Sequence, residues 1–198
     1  MSTFVLLTIT GLGLGAMYFL IASGLSLIYG LMGVLNFAHG ALITVGAYST
    51  WWMSTKVDGS VGVKLVAGAA FGLAAGAVLA ALIELVLIRP LYRRPVEQVL
   101  VTVGLALALN ALVEAIWGFD ARVFPVPAWM IDTTQILGAS IPNDRFVEIA
   151  CAAAVLVGLQ AFLRFTRYGL IIRAGVENRA MVTALGIDVR RAFTLVFA

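Results

Sequence analysis

The chain has little of what chemistry in water requires: one cysteine and one histidine in 198 residues, and only 12% charged residues. Cys151 alone cannot close an internal disulfide and has no companion at ligand spacing. In an apolar run it reads as a small packing residue. His39 has neither a second histidine nor an adjacent acid, which excludes a catalytic triad and a histidine-ligated metal. No G-x-x-x-x-G-K-[ST] loop occurs, so ATP hydrolysis by the chain itself is not expected, nor is a bound cofactor. The formal charge of +3 is not gathered into a basic patch with aromatics, and no zinc-finger or helix-turn-helix spacing occurs, so nucleic acid is excluded as a partner. No basic stretch precedes Phe4, and the first apolar run continues to Gly30, longer than a signal core; Met1 onward therefore reads as mature sequence.

What is present is hydrocarbon. Hydrophobic residues make up 62% of the chain, and the mean hydropathy is +1.05. A soluble domain is about a quarter charged, so too few polar faces remain here to meet water. A bilayer core asks for roughly 20 apolar residues per helix. Five runs qualify, at about 4–30, 35–53, 61–88, 99–116 and 145–162. The expected fold is an all-α, polytopic integral membrane bundle, with lipid as its main neighbour. A further apolar run begins at Ala192 and stops with the sequence, so residues 1–198 read as the N-terminal portion of one longer, C-terminally truncated transmembrane domain.

The cations are arranged by side. If every run crosses, the third and fifth connections lie on one side and hold nine of the thirteen Lys and Arg residues, among them Arg89, Arg93, Arg94 and Arg164. The opposite side and its margins hold Lys56, Lys64, Arg122 and Arg145. Positive charge stays in the cytoplasm, which puts the N-terminus outside. Trp51, Trp52, Trp117 and Trp129 then fall at the outer interface, where an amphipathic indole is stable. The first connection is short and uncharged, and Asn36, His39 and Gly40 follow it closely. A clean hairpin and a partly re-entrant segment both fit, the second only where protein or a cavity shields the backbone.

Small and polar residues mark helix contacts. Gly68, Gly72, Gly76 and Ala80 recur every four residues and continue to Glu84, a stripe that lets a neighbouring helix come close. Gly11 and Gly15 follow the same logic on the first run. Glu84 has Arg89 about one turn away as a structural partner, with a gating or proton-relay role as the alternative. Gln98, Thr102, Asn110 and Glu114 share one slowly drifting i,i+4 face, which should line a water-filled path or meet another helix. Asn36 and His39 can share a face, and hydrogen bonding at a helix contact is the expected task of the histidine. After the fifth run, Val176 to Leu185 can form a short amphipathic helix stopped by Gly186, with Val176, Ala180, Thr183 and Ala184 as a contact face.

Several pieces of this chain closely resemble the permeases of bacterial branched-chain amino acid ABC importers. They are Tyr29-Gly30-Leu31-Met32-Gly33-Val34-Leu35-Asn36-Phe37-Ala38-His39-Gly40, Gly46-Ala47-Tyr48, Arg89-Pro90-Leu91 and Thr102-Val103-Gly104-Leu105. The piece from Arg173-Ala174 to Gly186-Ile187 is similar to the family's cytoplasmic coupling segment. The resemblance implies a bacterial inner-membrane, multi-pass subunit of an ATP-driven importer. Its partners would be two cytoplasmic ABC ATPase subunits, a second related permease and a periplasmic solute-binding protein. It also implies that Glu177, Ala180, Ala184 and Gly186, within residues 173–187, meet a cleft of the ATPase. The cargo would be a branched-chain amino acid; urea or a short amide, carried by close relatives, is the alternative. A channel or secondary carrier would need no ATPase.

Overall fold

The computed structural model describes residues 2–33, 35–92, 94–184 and 194–197. Helix α1 (Ser2–Met32) is followed by an irregular segment, α2 (His39–Lys56) and α3 (Val61–Ile83). A π-helical turn (Glu84–Ile88) and a 3-10 turn (Arg89–Leu91) then lead to α4 (Pro95–Trp117). After α5 (Ala128–Ile131) come the antiparallel strands β1 (Thr133–Ile136) and β2 (Ala139–Pro142), then α6 (Asp144–Phe165) and α7 (Arg167–Ala184). Residues 194–197 are again helical.

Four stretches among the described residues are long and apolar enough to cross a membrane: Ser2–Gly30, Val61–Leu91, Pro95–Trp117 and Asp144–Phe165. The chain is thus a polytopic helical membrane protein. The shorter α2 carries hydroxyls that bond back to its own carbonyls, Thr50 to Gly46 O at 2.8 Å and Ser54 to Trp51 O at 2.7 Å. Those bonds keep polar side chains from exposing unpaired groups at membrane depth. Many large apolar side chains, Phe4, Leu73, Leu100 and Leu107 among them, point outward. Lipid is as apolar as they are, so small residues and polar contacts, not hydrophobicity, have to hold the helices together.

Helix ends follow local chemistry. Gly33 (φ 66°) and Gly118 (φ 81°) close α1 and α4 in the left-handed region. Each N–H returns to the carbonyl four residues back, Tyr29 O and Glu114 O, at 2.8 Å. Pro90 has no N–H to continue α3, and Pro95 opens α4 where that loss is harmless. The β-hairpin, which the sequence pattern did not suggest, turns at Leu137 (φ 51°) and Gly138 (φ 78°). This double positive-φ geometry belongs to tight hairpins. Ile141 and Ala139 bury one face of the hairpin beside α1.

Helices α1 and α6 pack side by side and run parallel, since Gly13 meets Arg145 near the start of α6 and Ile28 shares a core with Phe162 and Leu163 near its end. Over Gly13 lies the Arg145–Glu148 ion pair (Nη1 to Oε2 2.8 Å), and a Cβ there would stand 2.8 Å from Arg145 Cδ. Gly11 and Gly15 have open space instead of a close neighbour; they border an apolar groove between α1 and α6. A common core cluster joins Ile28 of α1, Ile83 and Ile88 at the end of α3, Ile172 and Val182 of α7, and Phe197. The arginine-bearing connections after α3 and α6 therefore lie at the same end of the bundle, beside the end of α1.

The tightest approach is α2 against α3. A Cβ on Gly72 would lie 1.9 Å from Thr50 Oγ1 and 2.6 Å from Gly46 O; one on Gly68 would lie 2.7 Å from Thr50 O. Gly76 has nothing within 4 Å. Gly72→Ala should therefore cost about 1–3 kcal/mol by overpacking, while Gly76→Ala should be neutral or slightly stabilising. Thermal unfolding of the detergent-solubilised protein checks the contrast.

Candidate functional site

The segment between α1 and α2 is re-entrant. His39 packs on α1 well before its end: its Nε2 lies 3.2 Å from Ile21 O, and a Cβ on Gly24 would meet its Cε1 at 2.9 Å. Helix α1 continues for roughly 12 Å beyond that level, so the described part of 33–38 climbs back beside it before α2 starts. The helix begins at His39 and not near Leu35, because Gly33 turns the chain and Asn36 ties the next turn. Asn36 Oδ1 accepts the Ala38 N–H at 3.1 Å, and Asn36 O accepts the His39 N–H at 3.2 Å. The first bond fixes the amide's orientation. Its Nδ2, on a residue only 3% exposed, has no hydrogen-bond partner among the described residues. Asn36 and His39 border a cavity of about 230 Å³ with Ile21, Leu25, Phe37 and Gly40.

Helix α4 supplies what irregular backbone on two sides lacks. Thr102 Oγ1 donates to Val99 O at 2.9 Å and lies 3.5 Å from Leu35 O of the re-entrant segment. Gln98 Nε2 donates at 3.4 Å to Ile88 O, where α3 gives way to the 3-10 turn. Both side chains are essentially fully buried. Asn110 and Glu114, expected on the same face, are exposed; the buried line instead continues through Leu109 and Val113. Spacing of exactly four residues rotates by about 40° per step, which carries the upper half of the row off the contact.

The glycine stripe of α3 also divides. Gly68 and Gly72 meet α2, whereas Gly76 and Ala80 border a groove of about 520 Å³ shared with His39, Leu42, Gly46, Thr50 and Phe197. Ala80 itself is buried in the core cluster. At the foot of α3, Glu84 is bonded not to Arg89 but to hydroxyls. Tyr92 donates to Oε1, and Thr194 donates to Oε2 at 2.8 Å.

Helix α7 is two pieces. Thr166 caps the first, its Oγ1 accepting the Gly169 N–H at 2.9 Å. The helix breaks at Asn178 (φ −153°, ψ 90°), whose Oδ1 accepts the Met181 N–H at 3.0 Å and so caps the second piece. The expected single helix from Val176 is thus replaced by a longer one with a capped break. Glu177 and Asn178 are exposed at that break, while Ile172 and Val182 face the core. Ala180 and Ala184 lie on the second piece, their side chains outside the described residues, as is Gly186. Among the described residues no three His, Cys, Asp or Glu side chains converge.

Because the buried Gln98 donates to Ile88 O and the buried Thr102 hydroxyl to Val99 O, Gln98→Leu and Thr102→Val should each lower stability by about 1–3 kcal/mol. Asn110→Leu, on the exposed face, should leave the detergent-solubilised protein within about 0.5 kcal/mol. Thermal unfolding separates the two groups.

Comparison with known proteins bears on this geometry directly. The family model described as the permease component of the branched-chain amino acid transport system matches residues 7–198. The permease protein LivH of the high-affinity branched-chain amino acid transport system is 28% identical in Escherichia coli and 27% in Salmonella typhimurium. Each match covers 94% of this chain and 63% of the relative. A probable branched-chain amino acid transport permease of Methanocaldococcus jannaschii is 27% identical over 87% of this chain and 55% of its own length. The chain thus spans under two thirds of the length of these relatives. No solved structure matches it. The re-entrant segment, the buried polar face of α4 and the broken α7 accordingly sit in a chain that belongs to the branched-chain amino acid transport permease family.

Proposed function

We propose that this chain is part of the membrane-spanning subunit of an ATP-driven importer for branched-chain amino acids. It would line the translocation path and be driven by partner ATPases. The observation that carries the reading is the capped break at Asn178, at the end of the bundle that gathers the arginine-bearing connections. A surface helix with an exposed Glu177 and a buried Val182 presents a polar face outward and is anchored inward. Residues 173–187 are then the segment that docks in the ATPase cleft, with Glu177, Ala180, Ala184 and Gly186 as its contact residues. ATP-driven closure of two ATPases would move this segment and re-pack the spans around a path shared with a second, related permease. An external solute-binding protein would select the cargo.

Leucine-like solutes need an apolar route with weak polar stations and no charged trap. Asn36, whose Nδ2 has no hydrogen-bond partner among the described residues, and His39 supply such stations. Asn110 and Glu114 stand exposed on α4, where hydrocarbon alone would be an expensive neighbour, so a path or a partner helix suits them. The names of the relatives favour branched-chain amino acids over urea or short amides as cargo.

Sidedness is tested with single cysteines in a background lacking Cys151. In intact cells Asp58→Cys should react with an impermeant maleimide and Asn178→Cys should not, because positive charge holds the 164–191 connection inside. The reverse pattern would place the N-terminus in the cytoplasm.

Coupling is tested in the reconstituted full complex. The double substitution Ala180→Asp with Gly186→Glu should abolish both solute-stimulated ATP hydrolysis and uptake. Survival of both would make this a channel or secondary carrier, or move coupling elsewhere.

A further inference from the structure

Glu84 is the one acidic residue among the described residues that is completely buried. A carboxylate in a membrane helix is expensive unless solvated or paired, yet none of the ion pairs among the described residues involves it. Two hydroxyls hold it instead, Tyr92 on Oε1 and Thr194 on Oε2. A glutamine offers one acceptor oxygen where Glu84 offers two, so it could accept from only one of the two hydroxyls.

The three residues lie on three different parts of the chain. Glu84 opens the π-helical turn in which the Arg89 N–H returns to Glu84 O. Tyr92 follows the 3-10 turn, and Thr194 begins the helical stretch after the 173–187 segment. Val182, within that segment, and Phe197, after it, belong to one core cluster with Ala80, Ile83 and Ile88. A π turn holds one residue more than an α turn, so it can shift register without breaking the helix. Its last residue, Ile88, offers its carbonyl to Gln98 of α4. A continuous chain of bonds therefore runs from Thr194 through Glu84 and the π turn to α4.

We infer that Glu84 is the positioning residue that receives the motion of the coupling segment, taking it from Thr194 and passing it to the ends of α3 and α4. This rests on the reading of residues 173–187 as the ATPase-coupling segment. Its two oxygens each take a hydroxyl, one from Tyr92 and one from Thr194, so a single side chain joins both partners.

The test uses the complete complex, with the full-length permease, its ATPases and the binding protein, in proteoliposomes. Uptake of radiolabelled leucine and ATP hydrolysis are measured together, so that the ratio is independent of how much complex assembles. Thr194→Val should lower leucine imported per ATP about tenfold, the scale of losing one hydrogen bond. Thr194→Ser should restore it to within about twofold. In a Glu84→Gln background, Thr194→Val should add less than about twofold, because the interaction is already weakened. An unchanged ratio in Thr194→Val, or a full second loss in the Glu84→Gln background, overturns the assignment. If Glu84→Gln does not assemble, the Thr194→Val and Thr194→Ser pair decides alone. A wild-type complex whose ATP hydrolysis ignores leucine-loaded binding protein would instead overturn the importer reading itself.

Discussion

Inside a bilayer no water takes up a carbonyl or an N–H that its own helix leaves unpaired, so a departure from regular helix needs a donor or acceptor from elsewhere in the protein. This chain departs twice within its membrane-spanning region, in the re-entrant segment before α2 and in the π and 3-10 turns that end α3. Helix α4 runs past both. Thr102 lies within reach of the Leu35 carbonyl, and Gln98 answers the Ile88 carbonyl one turn lower. Each irregular stretch thus has a buried polar side chain of α4 beside it. The irregular geometry and the polar stripe of α4 are one feature seen from two sides.

The same constraint explains why small residues gather between α2 and α3. Hydrophobic contrast does not press membrane helices together, so contact must come from close backbone approach. Gly46, Gly68 and Gly72 permit it around Thr50. Further along, Ala80 and Ile83 share a core cluster with Ala41 and Leu42, and a groove bordered by His39 and Phe197 runs beside the pair.

Much of the bundle was legible in the sequence, because apolar runs long enough to span have few other readings and because the arginines collect at one end. The glycine stripe of α3 was legible as a contact, although only its first half makes one. The rest left weaker marks. A row at strict four-residue spacing turns by about 160° between Gln98 and Glu114, so one row could not serve one face throughout. The π turn is a backbone register fault inside a uniformly apolar stretch, and only Pro90 hints at it. The hairpin turns on Leu137 at positive φ, where asparagine or glycine would have announced it. Of the two partners of Glu84, Tyr92 lies eight residues on and Thr194 lies 110 on, the second beyond any local pattern; Arg89, one turn away, is not bonded to it.

These misses share a cause. Periodicity records which face of a regular helix is apolar, and the features that set this chain apart from a plain bundle are places where the helix is not regular. Polar side chains stand beside each, Thr102 near the re-entrant segment and Thr194 with Tyr92 on Glu84. A threonine hydroxyl can release one oxygen and take another where a helical carbonyl cannot, so such turns can rearrange without exposing unpaired backbone to lipid.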